Sequence, residues 1–288
     1  MHMYKVFADG TSNLPKQQME EITMVPCHYS IDGEELIYDG DLEKFDAHEY
    51  YEAIKAGKQI KTSLINTCQF EESFTPDLQA GFDIIYISMA GGISGTCQAA
   101  INAADELQEQ FPERTVRIIN SKTCGMGSGL QAMRAVELSR EGLEAKEAAA
   151  VLDEEVDHWC SYFTVDDVHY LEKTGRVSHT VAQACSLVSL KPILYGNDEG
   201  YIVKSSIARG RRNSLKALAD KYKEKAIDPA EHIVAISHGD CPEDGEYLAG
   251  LINEIAKPKD LIIVPHEPFS GSHVGPGMMG LFFFGKER

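Results

Sequence analysis

The segment Asp83–Met89 constrains the fold of this chain more than any other part of the sequence. Nearly all of its residues are apolar, which is typical of a parallel β-strand covered on both faces. The chain then passes through Ala90-Gly91-Gly92 into a helical pattern from about Ser94 to Gln110. A strand followed directly by a helix in this way predicts a right-handed parallel α/β layer.

The predicted helix carries one apolar stripe that we expect to be buried: Cys97, Ala100, Ile101, Ala104 and Leu107. The segments around it continue the alternation of strands and helices. The further strands are Tyr4–Ala8, Ile22–Ile31, Leu36–Tyr38 and Val116–Asn120, with a hairpin at Asp32-Gly33, and the further helices are Ala47–Ala56, Met126–Glu141 and Ala145–Trp159.

The pattern changes character near residue 160. A hairpin of Pro192–Tyr195 and Tyr201–Ala208 is predicted first. The helices that follow are Arg211–Glu224 and Glu243–Ile255, and the strands are Ile233–Ser237, Leu261–Val264 and, after the glycine-rich Gly271–Gly280, Leu281–Phe284. We therefore predict two domains. Residues 1–160 form a parallel-sheet α/β sandwich, and residues 161–288 form an α+β domain with a mixed or antiparallel sheet.

The charge of the chain limits its partners. Lys and Arg number 27 against 45 Asp and Glu, which gives a formal net charge of −18. So acidic a surface repels the phosphates of nucleic acids and anionic lipid headgroups. The apolar stretch Met278–Phe284 is far too short to span a bilayer. We expect no nucleic-acid partner and no stable membrane insertion.

The cysteines indicate a reducing compartment. All seven lie far apart and none forms a C-x-x-C pair: Cys27, Cys68, Cys97, Cys124, Cys160, Cys185 and Cys241. Such a set is typical of free thiols rather than of a disulfide framework or a zinc site. The N-terminal segment also lacks the pattern of a secretory signal. We expect a cytoplasmic protein.

Catalytic motifs fit this sequence poorly. Gly92-Ile93-Ser94-Gly95-Thr96 resembles a nucleophile elbow between strand and helix, but Thr96 stands where the elbow requires glycine. An esterase or acyl-transfer enzyme that uses Ser94 with His273 stays open as an alternative. No H-E-x-x-H or other clustered ligand motif is present, so we expect no metal and no cofactor.

Several short motifs follow one another in the order of a known family. They are Asp9-Gly10-Thr11-Ser12-Asn13-Leu14, Ser94-Gly95-Thr96-Cys97-Gln98-Ala99-Ala100, Leu171 to Ser178, Leu190-Lys191-Pro192-Ile193-Leu194 and His273 to Leu281. Together they resemble the DegV family of bacterial fatty-acid-binding proteins, over nearly the whole chain. The family's "T-S-Q-P-S" loop appears here as Thr62-Ser63-Leu64-Ile65-Asn66, without the glutamine and the proline.

The resemblance implies a lipid carrier rather than an enzyme. A long-chain fatty acid would lie in an apolar tunnel between the two domains, and a separate ATP-dependent fatty acid kinase would phosphorylate its carboxylate. By the same resemblance, Thr62, Ser94 and His273 hold the carboxylate. Arg176 and Arg209 would form a basic rim towards the carboxylate or the kinase. Phe163, Leu187 and Ile193 are candidates for the tunnel lining.

The residues themselves support an anion site at Ser94. Where a strand becomes a helix, the amides of Gly95 and Thr96 point outward with the positive helix end behind them. The simpler interpretation of Ser94 is a helix N-cap, and both roles are compatible. Arg209, Arg211 and Arg212 equally fit an ordinary solvated helix start. An interaction module with an incidental ligand is the remaining alternative.

Overall fold

The computed structural model describes residues 4–184 and 189–288. The strands of the first part of the chain are β1 (Tyr4–Asp9), β2 (Ile22–Val25), β3 (Cys27–Ile31), β4 (Glu34–Tyr38), β5 (Ile60–Ser63), β6 (Asp83–Ser88) and β7 (Val116–Asn120). Its helices are α1 (Ala47–Lys55), α2 (Thr67–Gln79), α3 (Thr96–Gln110), α4 (Met126–Arg140) and α5 (Ala145–Glu155).

The remaining described part adds six strands and five helices. The strands are β8 (Trp159–Thr164), β9 (Leu190–Gly196), β10 (Ile202–Arg209), β11 (Ile233–His238), β12 (Asp260–Pro265) and β13 (Met279–Phe284). The helices are α6 (His169–Lys173), α7 (His179–Ala184), α8 (Arg211–Lys225), α9 (Pro242–Ile255) and α10 (Pro268–Val274). No helix among the described residues combines the length and the apolar character needed to cross a bilayer.

The strands form three sheets. Sheet A has the order β2-β1-β6-β7 and is parallel throughout. Sheet C has the order β10-β9-β8-β13-β11-β12 and is mixed, since only β11 and β12 run parallel. The antiparallel sheet B, in the order β4-β3-β5, is an excursion of the chain between β2 and α2. The predicted parallel α/β layer and the predicted mixed sheet are confirmed.

The two large sheets share a hydrophobic core. Helix α4 packs between them, contacting β1 and β6 on one side and β8 and β11 on the other. The core there joins Ile85 and Ile87 of sheet A to Ala235 and Phe282 of sheet C. Sheet A is covered on its other face by α2 and α3, and sheet C by α8 and α9. Helix α4 therefore packs against both sheets and fixes one relative to the other.

Some predicted elements differ from the structure. The single strand Ile22–Ile31 is two strands, because Pro26 has no amide hydrogen to continue the ladder and the chain leaves sheet A for sheet B there. The helix predicted to reach Trp159 ends at Glu155, and Trp159 begins β8. Ile101 is 37% exposed, and Ala103 takes its place in the buried stripe of α3. The division of the chain at residue 160 stays a prediction, and it falls on the second residue of β8.

Candidate functional site

Thr62 is positioned by sheet B. It lies in β5, not in the predicted loop, and stands opposite Tyr29 of β3 in the antiparallel register. Tyr29 in turn packs edge-on against Tyr50 of α1, with ring centroids 6.1 Å apart. The Thr62 hydroxyl therefore projects from β5, an edge strand of sheet B that pairs with β3 on one side.

His273 lies on helix α10, where the sequence predicted a glycine-rich loop. Glu267 caps this helix, because its carboxyl accepts the Ser270 amide at 2.9 Å and the Phe269 amide. The hydroxyl of Tyr51 donates to the carbonyl of His266 at 3.1 Å, just before the helix. Tertiary contacts thus stabilise a short segment that is poor in helix formers.

The two ring nitrogens of His273 have different surroundings. Its Nε2 lies 3.2 Å from the Thr62 Oγ1. Its Nδ1 is buried and has no hydrogen-bond partner among the described residues. Burial, and secondarily the charge of Arg176, lowers the pKa of His273 to about 4. The ring is therefore neutral at pH 7, and it leaves one polar atom unsatisfied.

Ser94 precedes α3, and its hydroxyl is engaged with the start of that helix. The Ser94 Oγ accepts the Thr96 amide at 3.2 Å and donates to the Thr96 Oγ1 at 3.0 Å. Thr96 is 1% exposed. The expectation that the Thr96 amide points outward is therefore wrong, because Ser94 already occupies it. The Gly95 amide has no hydrogen-bond partner within the described chain.

Arg176 and Arg209, the two basic residues predicted for the rim, lie in different parts of the structure. Arg176 lies between α6 and α7, half-buried, and donates to the Thr174 carbonyl. Burial lowers its pKa, and no carboxylate of the described residues pairs with it. Arg209 ends β10, exposed, and lines neither the cavity nor the recess described below. The structure thus brings Arg176, but not Arg209, to the predicted site.

A cavity lies between sheets A and C and α10, and the space free of protein atoms there is about 740 Å³ with its open mouth included. Most of its lining side chains are apolar, among them Met89, Ile93, Phe163, Leu171, Ile202, Phe269, Val274, Met278 and Phe282. Ser94, Arg176 and His273 lie in the same wall. An apolar chamber thus adjoins the polar residues that the sequence singled out.

A more open recess adjoins this cavity. It is lined by Thr62, Leu64, Gly91, Gly92, Ile93, Ser94, Gly95, Arg176 and Phe269. Ile93, Ser94, Arg176 and Phe269 line both spaces. Thr62 faces the recess and His273 the cavity, and these two side chains contact each other. The carboxylate-holding candidates therefore stand at the junction between an enclosed and an open space.

Two loops from the two large sheets meet over the cavity. A Cβ on Gly92 would lie 2.6 Å from the carbonyl carbon of Gly200, in the turn between β9 and β10. Gly200 itself has a φ of +82°, which L-residues with side chains rarely adopt. Only glycine at position 92 permits this approach of backbone to backbone.

Of the three residues expected to line the tunnel, the structure describes two, and one of these lines the cavity. Phe163 lines the cavity as predicted. Ile193 packs instead in the core between sheet C and α8, on the other side of the sheet. Leu187 lies outside the described residues.

Sequence reasoning missed Cys124, His266 and Ser270, which also line the cavity. The run Glu267-Pro268 was a usable signal, because a capping carboxylate before proline is typical of a helix start.

The geometry does not support an esterase. The Ser94 hydroxyl is directed to Thr96, and His273 is directed to Thr62. Among the described residues, no acid hydrogen-bonds to His273, and Arg176 is the charged group acting on its pKa. A serine nucleophile requires a base at hydrogen-bond distance and a third group that orients the base. Neither relationship is present among the residues that the structure describes.

Within residues 4–184 and 189–288, one group of possible metal ligands lies away from the cavity. His48 and Glu52 of α1 face Asp240, with ligand atoms within 4.8 Å of one another. The ammonium of Lys55 lies 2.8 Å from Glu52 and 3.5 Å from Asp240. The ammonium of Lys55 is therefore already paired with both carboxylates.

Comparisons with known proteins agree with the fold. Residues 3–286 match the family model described as "Uncharacterised protein, DegV family COG1307". The DegV domain-containing protein CPE0026 of Clostridium perfringens is 32% identical over 290 residues, which cover 100% of this chain and 99% of that protein.

Solved structures give the same result. The fatty acid binding DegV family protein SAG1342 of Streptococcus agalactiae is 26% identical, with a TM-score of 0.84 over 98% of this chain and 99% of that one. A DegV family protein from Thermus thermophilus, described for its fatty acid binding, has a TM-score of 0.87 at 22% identity, over 99% and 100% of the two chains. This second likeness shows the fold.

Proposed function

The chain belongs to the DegV family, and we propose that it binds one long-chain fatty acid and presents the carboxylate to a separate ATP-dependent kinase. The acyl chain occupies the cavity between sheets A and C, and the carboxylate lies at the junction with the recess. The observation that carries the proposal is the buried Nδ1 of His273, which lacks a partner within the described chain and belongs to a residue that lines the cavity.

The contact between Thr62 and His273 selects a tautomer that suits a carboxylate. If the Thr62 hydroxyl donates to Nε2, the ring proton resides on Nδ1 and is available as a donor. An ionised carboxylate accepts hydrogen bonds only, so this tautomer is the one it stabilises. The Gly95 amide and a rotated Ser94 hydroxyl supply further donors at the same junction.

The apolar chain supplies most of the affinity. About 15 buried methylenes at ~0.8 kcal/mol each give roughly 12 kcal/mol before the ordering of the chain is subtracted. Neutral donors then suffice to fix the head group. Arg176 adds an attraction without a direct ion pair, so the carboxylate oxygen stays accessible.

The open recess supports the proposed presentation of the carboxylate to a kinase. A carboxylate oxygen held at the junction attacks the γ-phosphorus of ATP supplied by the partner, and the bond from that phosphorus to ADP breaks. The products are an acyl phosphate and ADP. Because the reaction uses ATP, we expect the protein to act in the cytoplasm.

Native mass spectrometry of the intact protein tests the proposed binding of a fatty acid. The expected result is a folded chain carrying one additional mass in the range of a C14–C20 fatty acid, which organic extraction then identifies. Folded protein that neither carries such a mass nor takes up added fatty acid would overturn the proposal.

The kinase step is tested with a purified ATP-dependent fatty acid kinase and this chain loaded with fatty acid. Hydroxylamine converts an acyl phosphate to a stable hydroxamate, which mass spectrometry detects. Hydroxamate formation should require the chain. Equal formation from fatty acid and kinase without the chain would contradict the proposed presentation.

A further inference from the structure

The cavity has a polar wall opposite its apolar lining, formed by Cys124, Ser161, His266 and Ser270. Ser161 of β8 stands beside Phe282 of β13 in the antiparallel register. A Cβ on Gly125 would lie 3.7 Å from Phe282 and 3.1 Å from the Cε1 of His266. Gly125 therefore lies close to both Phe282 and His266.

Two members of the polar wall have their hydrogen bonds satisfied within the protein. His266 contacts the Ser237 hydroxyl through Nδ1 at 3.1 Å and the Ser270 hydroxyl through Nε2 at 2.9 Å. Ser270 also contacts the Glu267 carboxyl. Burial lowers the pKa of His266 to about 3, so the ring is neutral. This part of the polar wall is a fixed, uncharged surface.

The other two members have unused hydrogen-bonding capacity. The Ser161 hydroxyl has no hydrogen-bond partner in the described part of the chain. Burial raises the pKa of the Cys124 thiol to about 12, although hydrogen bonds from the Ser270 hydroxyl and the Gly125 amide oppose the shift, so the thiol stays protonated and keeps its S–H donor. A hydroxyl accepts and donates, and a thiol is a weak donor. Both groups face the space that the acyl chain would fill.

A saturated hydrocarbon against this wall would separate these groups from water without replacing the lost hydrogen bonds. A ligand oxygen at the same place would accept from the thiol and exchange a hydrogen bond with Ser161. We propose that the preferred ligand is a long-chain fatty acid with a hydroxyl group part-way along its chain. This inference rests on the proposed function and narrows its ligand class.

The test compares stearic acid with a series of monohydroxystearic acids that differ in the position of the hydroxyl. Each ligand displaces a fluorescent fatty acid from protein stripped of lipid. Since a hydrogen bond contributes about 1 kcal/mol net, we expect at least one isomer to bind roughly five- to tenfold more tightly than stearic acid. Ser161→Ala and Cys124→Ala should reduce that ratio, and the double variant should abolish it.

Met278→Leu is the matched control, because it changes an apolar lining residue and conserves volume. It should alter the affinities for stearic acid and for the hydroxy acids by the same factor. If every isomer binds no better than stearic acid, the inference is wrong and fatty acid binding stands. If neither stearic acid nor any isomer binds, the proposed function itself fails.

Discussion

The Oγ1 of Thr62 lies 3.2 Å from the Nε2 of His273, although 211 residues separate them in the sequence. The contact joins β5 of sheet B to α10, two elements from opposite ends of the chain. Because the contact occupies Nε2, Nδ1 is the ring nitrogen left without a partner among the described residues. The proposed head-group site therefore depends on a contact between β5 and α10.

Replacement of Thr62 by valine should weaken the binding of fatty acids about fivefold, since one hydrogen bond that orders the imidazole is lost. The affinity for the corresponding methyl ester, which has no carboxylate, should hardly change. Both are measured by displacement of a fluorescent fatty acid. Thr23→Val, at an exposed position of β2, is the control. A loss shared equally by acid and ester would contradict the assigned role of Thr62.

Acidification should destabilise the protein through His273 and His266. Their pKa values, about 4 and about 3, lie below the ordinary 6.5, so the unfolded chain binds more protons than the folded one. The contribution of the two histidines to stability is complete above pH 6.5 and is lost as the pH drops towards 4, by up to ~1.4 kcal/mol per pH unit for each histidine. Urea unfolding at a series of pH values measures the slope.

In the His273→Gln variant that acid slope should become shallower. The exposed His48→Gln serves as the control and should leave the slope as in the parent protein. An unchanged slope in His273→Gln would show that the imidazole is not held neutral by the fold.

Glu267 should act in the opposite direction at higher pH. Burial raises the pKa of this carboxyl to about 8, although the amides of Phe269 and Ser270 and the Ser270 hydroxyl oppose the shift. The folded protein then holds a proton that the unfolded chain releases above about pH 4.5, so the contribution of Glu267 to stability is lost as the pH rises from 4.5 through 8. Glu267→Gln should flatten this decline in urea titrations. A decline of the same size in the variant would refute the assignment.

Gly92→Ala should disturb the contact between the two loops over the cavity. The added methyl would lie 2.6 Å from backbone of Gly200, which has to move. We expect a lower melting temperature and faster release of a bound fluorescent fatty acid, measured by stopped flow. Gly250→Ala is the control, because a Cβ there meets nothing within 4 Å. Equal release rates for the two variants would show that the contact does not retain the ligand.

The fold was predictable from the sequence where buried strands carry continuous apolar runs. Strand β6 is the clearest case, since Ile84 to Ile87 are all buried completely. Helix α10 was missed because Ser270, Gly271 and Ser272 disfavour a helix, and its stability comes from Glu267 and from contacts with α1. Local propensity contains no information about such distant partners.

The site was predictable only in part. Resemblance indicated Thr62, Ser94 and His273, and the structure brings all three to one junction. It does not bring Arg209 there. Ser161 and His266 gave no signal, because a single serine in a strand and a single histidine after one are ordinary features of a sequence. Their shared orientation towards one space is a property of the tertiary structure.

The chamber between the sheets has a consequence for the life of the protein in the cell. A ligand that binds only the folded state adds RT ln(1 + [L]/Kd) to the free energy of unfolding, which is about 2.7 kcal/mol at a hundredfold excess over Kd. Differences of that size change steady-state abundance several-fold through proteolysis of unfolded chains. If the ligand is a fatty acid, as proposed, the amount of this protein would follow the supply of that lipid, because chains without ligand are degraded first.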